Sequence, residues 1–276
     1  MKTRIITSAL IVAVVVPVFI FSGYIVYPIF LALLSAISCF EILRVLGFER
    51  KPLVAVPSYL LAVALPILAF FVGDGLEKFV VAAAGALYVF LLYLFMLAVL
   101  SKGSFKFSRA ATVFCAVAYP ALAFTALSAL RYIENGMFCF GMVFIAAWVS
   151  DVFALVVGVL FGKHKLIPEV SPKKTVEGLI GGVAFATTAM LLYGLIIDLC
   201  VRDMTVNYLV LGVLGFALSL ISQLGDLIAS TIKREEGVKD YGRLLPGHGG
   251  VTDRFDSIFA IAMLTLIACL VFPPFV

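Results

Sequence analysis

Residues 222–256 read SQLGDLIASTIKREEGVKDYGRLLPGHGGVTDRFD. Six carboxylates, Asp226, Glu235, Glu236, Asp240, Asp253 and Asp256, stand there among Lys233, Arg234, Lys239, Arg243, Arg254 and His248. Glycines punctuate the stretch at Gly242, Gly247, Gly249 and Gly250. Apolar segments precede it (204–228) and follow it (255–275), each near the roughly 20 residues that a helix needs to cross a bilayer. Ionisable groups are costly to keep at a membrane, so such an island marks a functional site on a membrane-spanning helical protein.

Composition extends that reading to the whole chain. Its 276 residues are 64% hydrophobic and 13% charged, with a mean hydropathy of +1.20. A soluble domain is about half apolar and about a quarter charged. Apolar stretches long enough to span fall at 5–22, 24–46, 53–72, 79–100, 110–130, 136–161, 177–197, 204–228 and 255–275. The expected fold is therefore an all-α integral membrane protein of about nine transmembrane helices. Lys2 and Arg4 ahead of an apolar run resemble a signal peptide, but no small-x-small cleavage site follows, so an uncleaved first helix is expected. Residues 1–276 form one polytopic domain, with 1–135 as lipid or oligomer scaffold and 136–276 as catalytic helices and loops. The net charge of +4 comes without a basic arm, so no nucleic-acid partner is expected. The five cysteines show no ligand spacing and read as packing residues.

Charge asymmetry orients the helices. If the N-terminus and every second connection share one side, that side holds 17 of the 20 basic residues, leaving Lys78, Arg131 and Arg202 opposite. Basic loops stay in the cytoplasm, so the N-terminus is expected inside and the C-terminus outside. Two connections then share the cytoplasmic face: GKHKLIPEVSPKKTVEG (162–178) and the island at 222–256.

Asp226 closes one apolar segment, and Asp253 and Asp256 open the next at i, i+3, on one helical face. Acids converging at a membrane boundary need a cation between them, and hard oxygens with room for water suit Mg²⁺, which binds through one or two carboxylates plus substrate phosphates. Asp226, Asp253 and Asp256 are the expected ligands. Lys173, Lys174, Lys233, Arg234, Lys239 and Arg254, beside glycine-rich backbone, complement a polyphosphate. Lys102 and Lys106 read instead as topological lysines near lipid headgroups. Asp151 lies about 15 Å from its helix's cytoplasmic end; it either extends a polar cavity or forms a buried ion pair. Glu41 and Arg44 read as a local i, i+3 pair. His164 carries no expected role, whereas His248, bracketed by glycines, is placed to touch phosphate.

Ser230, Lys233-Arg234, Lys239-Asp240, Gly242, Pro246, His248-Gly249-Gly250 and Asp253-Arg254-Phe255-Asp256 resemble the signature of the phosphatidate cytidylyltransferases, also called CDP-diacylglycerol synthases. Ser171-Pro172-Lys173-Lys174-Thr175 with Glu177-Gly178 looks like that family's second hallmark. More than ten fixed positions with matching gaps are far more specific than a lone glycine motif. The resemblance covers roughly 140–260. It implies a Mg²⁺-dependent reaction of CTP with phosphatidate at the cytoplasmic membrane face, giving CDP-diacylglycerol and pyrophosphate. Together with the converging carboxylates, it makes Asp226, Asp253, Asp256, Lys239 and Arg254 catalytic. It gives substrate binding to Ser171, Lys173, Lys174, Thr175, Lys233, Arg234, Asp240, His248, Gly249 and Gly250, with Asp151 beside them. Membrane lipid is a further partner, and a homodimer is compatible with it.

A phosphate monoester is already anionic at neutral pH and needs no strong base to attack phosphorus. Alignment of two repelling anions and relief of leaving-group charge are the tasks left to the protein. Three rivals differ in products or kind: a CTP-dependent polyprenol kinase, a CDP-archaeol-type synthase and a transporter. A transporter would carry polar groups at the midplane of several helices, whereas here they gather at one face.

Overall fold

The computed structural model describes residues 24–244, 247 and 249–276. The expected span at 5–22 and His248 lie outside the described residues. Within them, eight helices are long and apolar enough to cross a membrane. They are α1 (Val26–Val45), α2 (Pro52–Leu68, prolonged by a 3₁₀ turn), α3 (Leu76–Leu100), α4 (Phe107–Leu130), a composite of α5 (Gly136–Phe144) and α6 (Ser150–Phe161), α7 (Val176–Cys200), α8 (Tyr208–Glu235) and α9 (Thr252–Val271). The chain is an integral membrane protein, nearly all helical. One departure is a two-stranded antiparallel hairpin, β1 (Lys165–Ile167) and β2 (Ser171–Thr175), where a loop was expected. A second is a π-helical turn at Ile145–Val149 joining α5 to α6.

The chain divides into two compact units: Met1–Tyr132 with Val238–Phe255, and Ile133–Gly237 with Asp256–Val276. The glycine-rich segment Val238–Phe255 groups with the N-terminal helices, because buried side chains of α1 hold it.

In the first unit α1 packs on α2 and α4, and α3 packs on α4. Leu43, Leu65, Leu94 and Phe124 are fully buried there. Helix α4 buries Ala110, Ala118, Ala121, Ala123, Ala126 and Ala129. Such small residues let helix backbones approach where lipid offers no hydrophobic drive for association. Tyr27 donates its buried hydroxyl to the Leu127 carbonyl at 2.9 Å, tying α1 to α4.

In the second unit α6 packs on α7, and α7 on α8. A Cβ added at Gly178 would lie 2.6 Å from the Ala154 carbonyl, and one at Gly182 would lie 2.6 Å from that of Ser150. These glycines are needed for close approach. Thr175 caps α7 by accepting from Gly178 N at 3.1 Å, and Asn207 caps α8 by accepting from Val210 N at 3.1 Å. Each cap satisfies an amide that the first helical turn leaves unpaired.

Candidate functional site

In the second unit α8 presents Gln223, Asp226, Ser230 and Lys233, spaced 3, 4 and 3 residues apart and hence along one face. Lys174 reaches that face from the hairpin. Its Nζ lies 2.7 Å from Asp226 Oδ2 and donates to the Gln223 carbonyl at 3.2 Å. Ser230 Oγ donates to Asp226 Oδ1 at 3.4 Å. Gln223 is buried and donates to the Leu179 carbonyl at 3.2 Å, fixing α8 against α7. Strand alternation explains why only one of the twin lysines takes part: neighbours on a strand point to opposite faces, and Lys173 is exposed while Lys174 is half-buried.

Helix α9 meets α8 at Gly225, where an added Cβ would stand 2.7 Å from Ala260 Cβ and 3.0 Å from the Asp256 carbonyl. That contact brings α9 to the face carrying Asp226. Asp256 is buried, and its Oδ1 accepts from Ser257 N at 2.9 Å. Ser257 Oγ donates to Asp151 Oδ2 at 3.1 Å. Asp226, Lys233 and Asp151 are all within electrostatic reach of Asp256. Asp151, two residues beyond the π turn at Ile145–Val149, thus joins the cluster through Ser257. Such turns re-aim the residues after them and recur at functional sites.

Asp151, Asp226 and Asp256 against Lys174 and Lys233 leave one formal negative charge in excess. Every carboxylate and hydroxyl donor is a hard oxygen, the chemistry of Mg²⁺ rather than of a thiophilic metal. Among the described residues no three His, Cys, Asp or Glu side chains gather closely enough to cage a metal. An ion here would complete its shell with water and substrate phosphate, as Mg²⁺ commonly does.

The first unit holds the other half of the expected set. Asp253 Oδ2 accepts from Tyr241 N at 2.8 Å, Gly250 N at 3.0 Å and Gly242 N at 3.4 Å. Buried Glu41 of α1 accepts from Val251 N at 3.0 Å through Oε1 and from Thr252 N at 2.8 Å through Oε2. Arg44 donates to the Tyr241 carbonyl at 2.6 Å, and Ser38 Oγ lies 2.8 Å from Thr252 Oγ1. The expected Glu41–Arg44 pair is therefore replaced by separate bonds from each residue to the loop. Gly249 adopts φ +84°, and a Cβ there would stand 2.9 Å from Asp253 Oδ2; a Cβ at Gly250 would collide with the Glu41 carboxylate. The amides of Tyr241, Gly242, Gly250, Val251 and Thr252 thus face protein carboxylates. Among the described residues, the exposed charged side chains of this segment are those of Lys239, Asp240, Arg243 and Arg254.

The remaining hallmark residues are placed as follows. Ser171 opens β2 half-buried, and the Thr175 hydroxyl serves α7 as its cap. Arg234 is exposed, with Nε 3.5 Å from the Val170 carbonyl. His164, expected to be idle, places Nδ1 2.6 Å from Glu177 Oε1, while Lys163 N and His164 N donate to the same carboxylate. Together these bonds pin the hairpin to the start of α7. Glu41 and the π turn were missed from sequence. The only signal for Glu41 was an acid in an apolar helix, and Arg44 three residues on accounted for it as a local pair.

Comparison with known proteins bears on this geometry. The sequence model of the cytidylyltransferase family matches residues 2–272. The chain belongs to the cytidylyltransferase family. Similar relatives include phosphatidate cytidylyltransferases of Staphylococcus haemolyticus, 35% identical over 97% of this chain and 98% of that protein, and of Staphylococcus epidermidis, 35% identical with the same coverage. One from Staphylococcus aureus is also 35% identical over 97% of this chain. As a member of the family the protein is a nucleotidyltransferase, and the hallmark residue Lys174 meets the carboxylate Asp226 in its second unit.

That meeting distinguishes lysines of similar sequence context. Lys174→Ala should lower kcat/KM at least about tenfold, the effect of ~1.4 kcal/mol of lost transition-state binding. Lys173→Ala should have a smaller effect, and Lys102→Ala and Lys106→Ala almost none. Steady-state kinetics on the four variants decides the matter. Equal small effects at all four positions would reduce the hairpin to a positively charged loop.

Proposed function

We propose that the protein transfers the CMP group of CTP to phosphatidate at the cytoplasmic membrane face, releasing pyrophosphate and forming CDP-diacylglycerol. The observation that carries this is the charge cluster of Asp151, Lys174, Asp226, Lys233 and Asp256 in a chain similar along almost its whole length to phosphatidate cytidylyltransferases. The distribution of 17 of the 20 basic residues supports an inside N-terminus, an outside C-terminus and a cytoplasmic site.

A phosphatidate oxygen attacks the α-phosphorus of CTP, a new P–O–P bond forms, and the bond to the β-phosphate oxygen breaks with pyrophosphate leaving. Lys174 and Lys233 hold phosphate oxygens beside the acids, so two anions can approach without their full repulsion. Lys173 and Arg234 would bind further phosphate charge on the second unit, and Lys239 and Arg254 carry phosphate-binding charge on the first. Asp226 and Asp256 would hold Mg²⁺, which when bound supplies counter-charge to the leaving pyrophosphate. Asp253, expected as a third ligand, uses Oδ2 to accept from Tyr241, Gly242 and Gly250 and so gives the glycine-rich segment its shape.

Label in the α-phosphate of CTP should enter the lipid, with pyrophosphate released, when purified protein is incubated with phosphatidate and Mg²⁺. A CTP-dependent lipid kinase would instead move the γ-phosphate and release CDP. Entry of γ-label without α-label would overturn the proposal.

A further inference from the structure

We infer that Glu41, with Arg44, is a positioning residue for the nucleotide-binding side of the reaction, acting through the segment Tyr241–Thr252 rather than touching substrate. This rests on the proposed cytidylyl transfer. Buried Glu41 accepts two adjacent amides, Val251 N at 3.0 Å and Thr252 N at 2.8 Å, at the very start of α9. A carboxylate there satisfies first-turn donors and is favoured by the positive end of the helix dipole. Arg44, three residues on, holds the other end of the segment through the Tyr241 carbonyl at 2.6 Å. Asp253 closes it from within through Tyr241, Gly242 and Gly250.

Two consequences follow. The amides of Tyr241, Gly242, Gly250, Val251 and Thr252 are bound to carboxylates of the protein rather than turned to a phosphate. The exposed cations in and beside the segment, Lys239, Arg243 and Arg254, are placed to meet the nucleotide's phosphates, and their placement depends on the bonds from α1. The glycines match this arrangement: a Cβ at Gly242 or Gly250 would run into the Glu41 carboxylate. Without Glu41, two buried amides would lose charge-assisted bonds, and the segment could relax from the conformation that aims those side chains.

The test uses the full chain in lipid nanodiscs, comparing wild type with Glu41→Gln, Glu41→Ala and Gly250→Ala. Gln keeps the size of Glu but turns one acceptor into an NH₂ group facing an N–H. We expect Glu41→Gln to stay folded, with KM for CTP raised at least about fivefold and kcat lowered at least about tenfold. Glu41→Ala should exceed it, and Gly250→Ala should share its signature. Equilibrium binding of CTP without lipid should weaken in parallel. If KM and CTP affinity per folded molecule stay at the wild-type value while only Tm falls, Glu41 is merely structural and the inference fails. If wild type makes no nucleotide-lipid, the proposed function fails instead, and CTP affinity alone decides the role of Glu41.

Discussion

Asp226→Asn is expected to lower turnover at least about a thousandfold, equivalent to ~4 kcal/mol of transition-state stabilisation, with Tm nearly unchanged. Asp256→Asn should do the same, with Tm unchanged or raised. The two halves of this expectation have separate causes. The Asp226–Lys174 pair is partly exposed, with side-chain exposures of 29% and 21%, and pairs of that kind contribute only about 0–1 kcal/mol to stability. Asp256 is buried and faces the like charges of Asp226 and Asp151. Making it neutral removes repulsion that the fold tolerates at a functional site. Turnover suffers because these oxygens would hold the cation that offsets pyrophosphate charge, a role that an amide fills poorly. Activity at saturating Mg²⁺ and thermal unfolding on the same samples provide the measurement. Near wild-type turnover in either variant would remove that residue from the metal site. A loss of activity matched by a collapse of Tm would mean that its role is structural.

The sequence and the structure agree where the physics is local. Hydropathy located the helices because a spanning segment must be apolar over its whole length; the span expected at 53–72 is observed as Pro52–Phe71, and that at 136–161 as Gly136–Phe161. The meeting of Lys174 with Asp226 was approachable because Lys174 lies in a recognisable hallmark and Asp226 is an acid at the end of an apolar segment. Less was legible where contacts join distant residues. Glu41 and Thr252 are separated by 211 positions, and no periodicity in α1 announces that its acid will cap another helix. Asp253 shows the same limit: its i, i+3 spacing from Asp256 was visible, but the three amides that it accepts were not. The hairpin escaped notice because Pro172 discourages a strand assignment, although it sits in an exposed edge position where no ladder donor is needed. Apolar runs also conceal the π turn, since one extra residue in a uniformly greasy helix leaves no mark on the pattern.

The second large effect concerns a residue with no side chain. Gly225→Ala is expected to reduce activity at least about a hundredfold, ~2.7 kcal/mol in the barrier, although it conserves charge and polarity and raises helix propensity. In an isolated helix the change would be favourable by about 0.5–1 kcal/mol. Here the new methyl would stand 2.7 Å from Ala260 Cβ, 3.0 Å from the Asp256 carbonyl and 3.3 Å from that of Ser257. Two carbons cannot remain at the first distance, so α8 and α9 must shift apart. The shift falls between Asp226, next in sequence, and Asp256, whose own carbonyl is one of the contacts. Displacements of about 1 Å at a catalytic constellation can cost on the order of a hundredfold in rate. Ala260→Gly removes the shortest of the three contacts, so the double variant Gly225→Ala/Ala260→Gly should recover a substantial part of the activity. Ala260→Gly alone should have a small effect, making the pair strongly non-additive. A double-mutant cycle of kcat/KM, with Tm measured alongside, tests this directly. If the two changes add without recovery, the close approach of α8 and α9 at Gly225 does not set the distance between their acids.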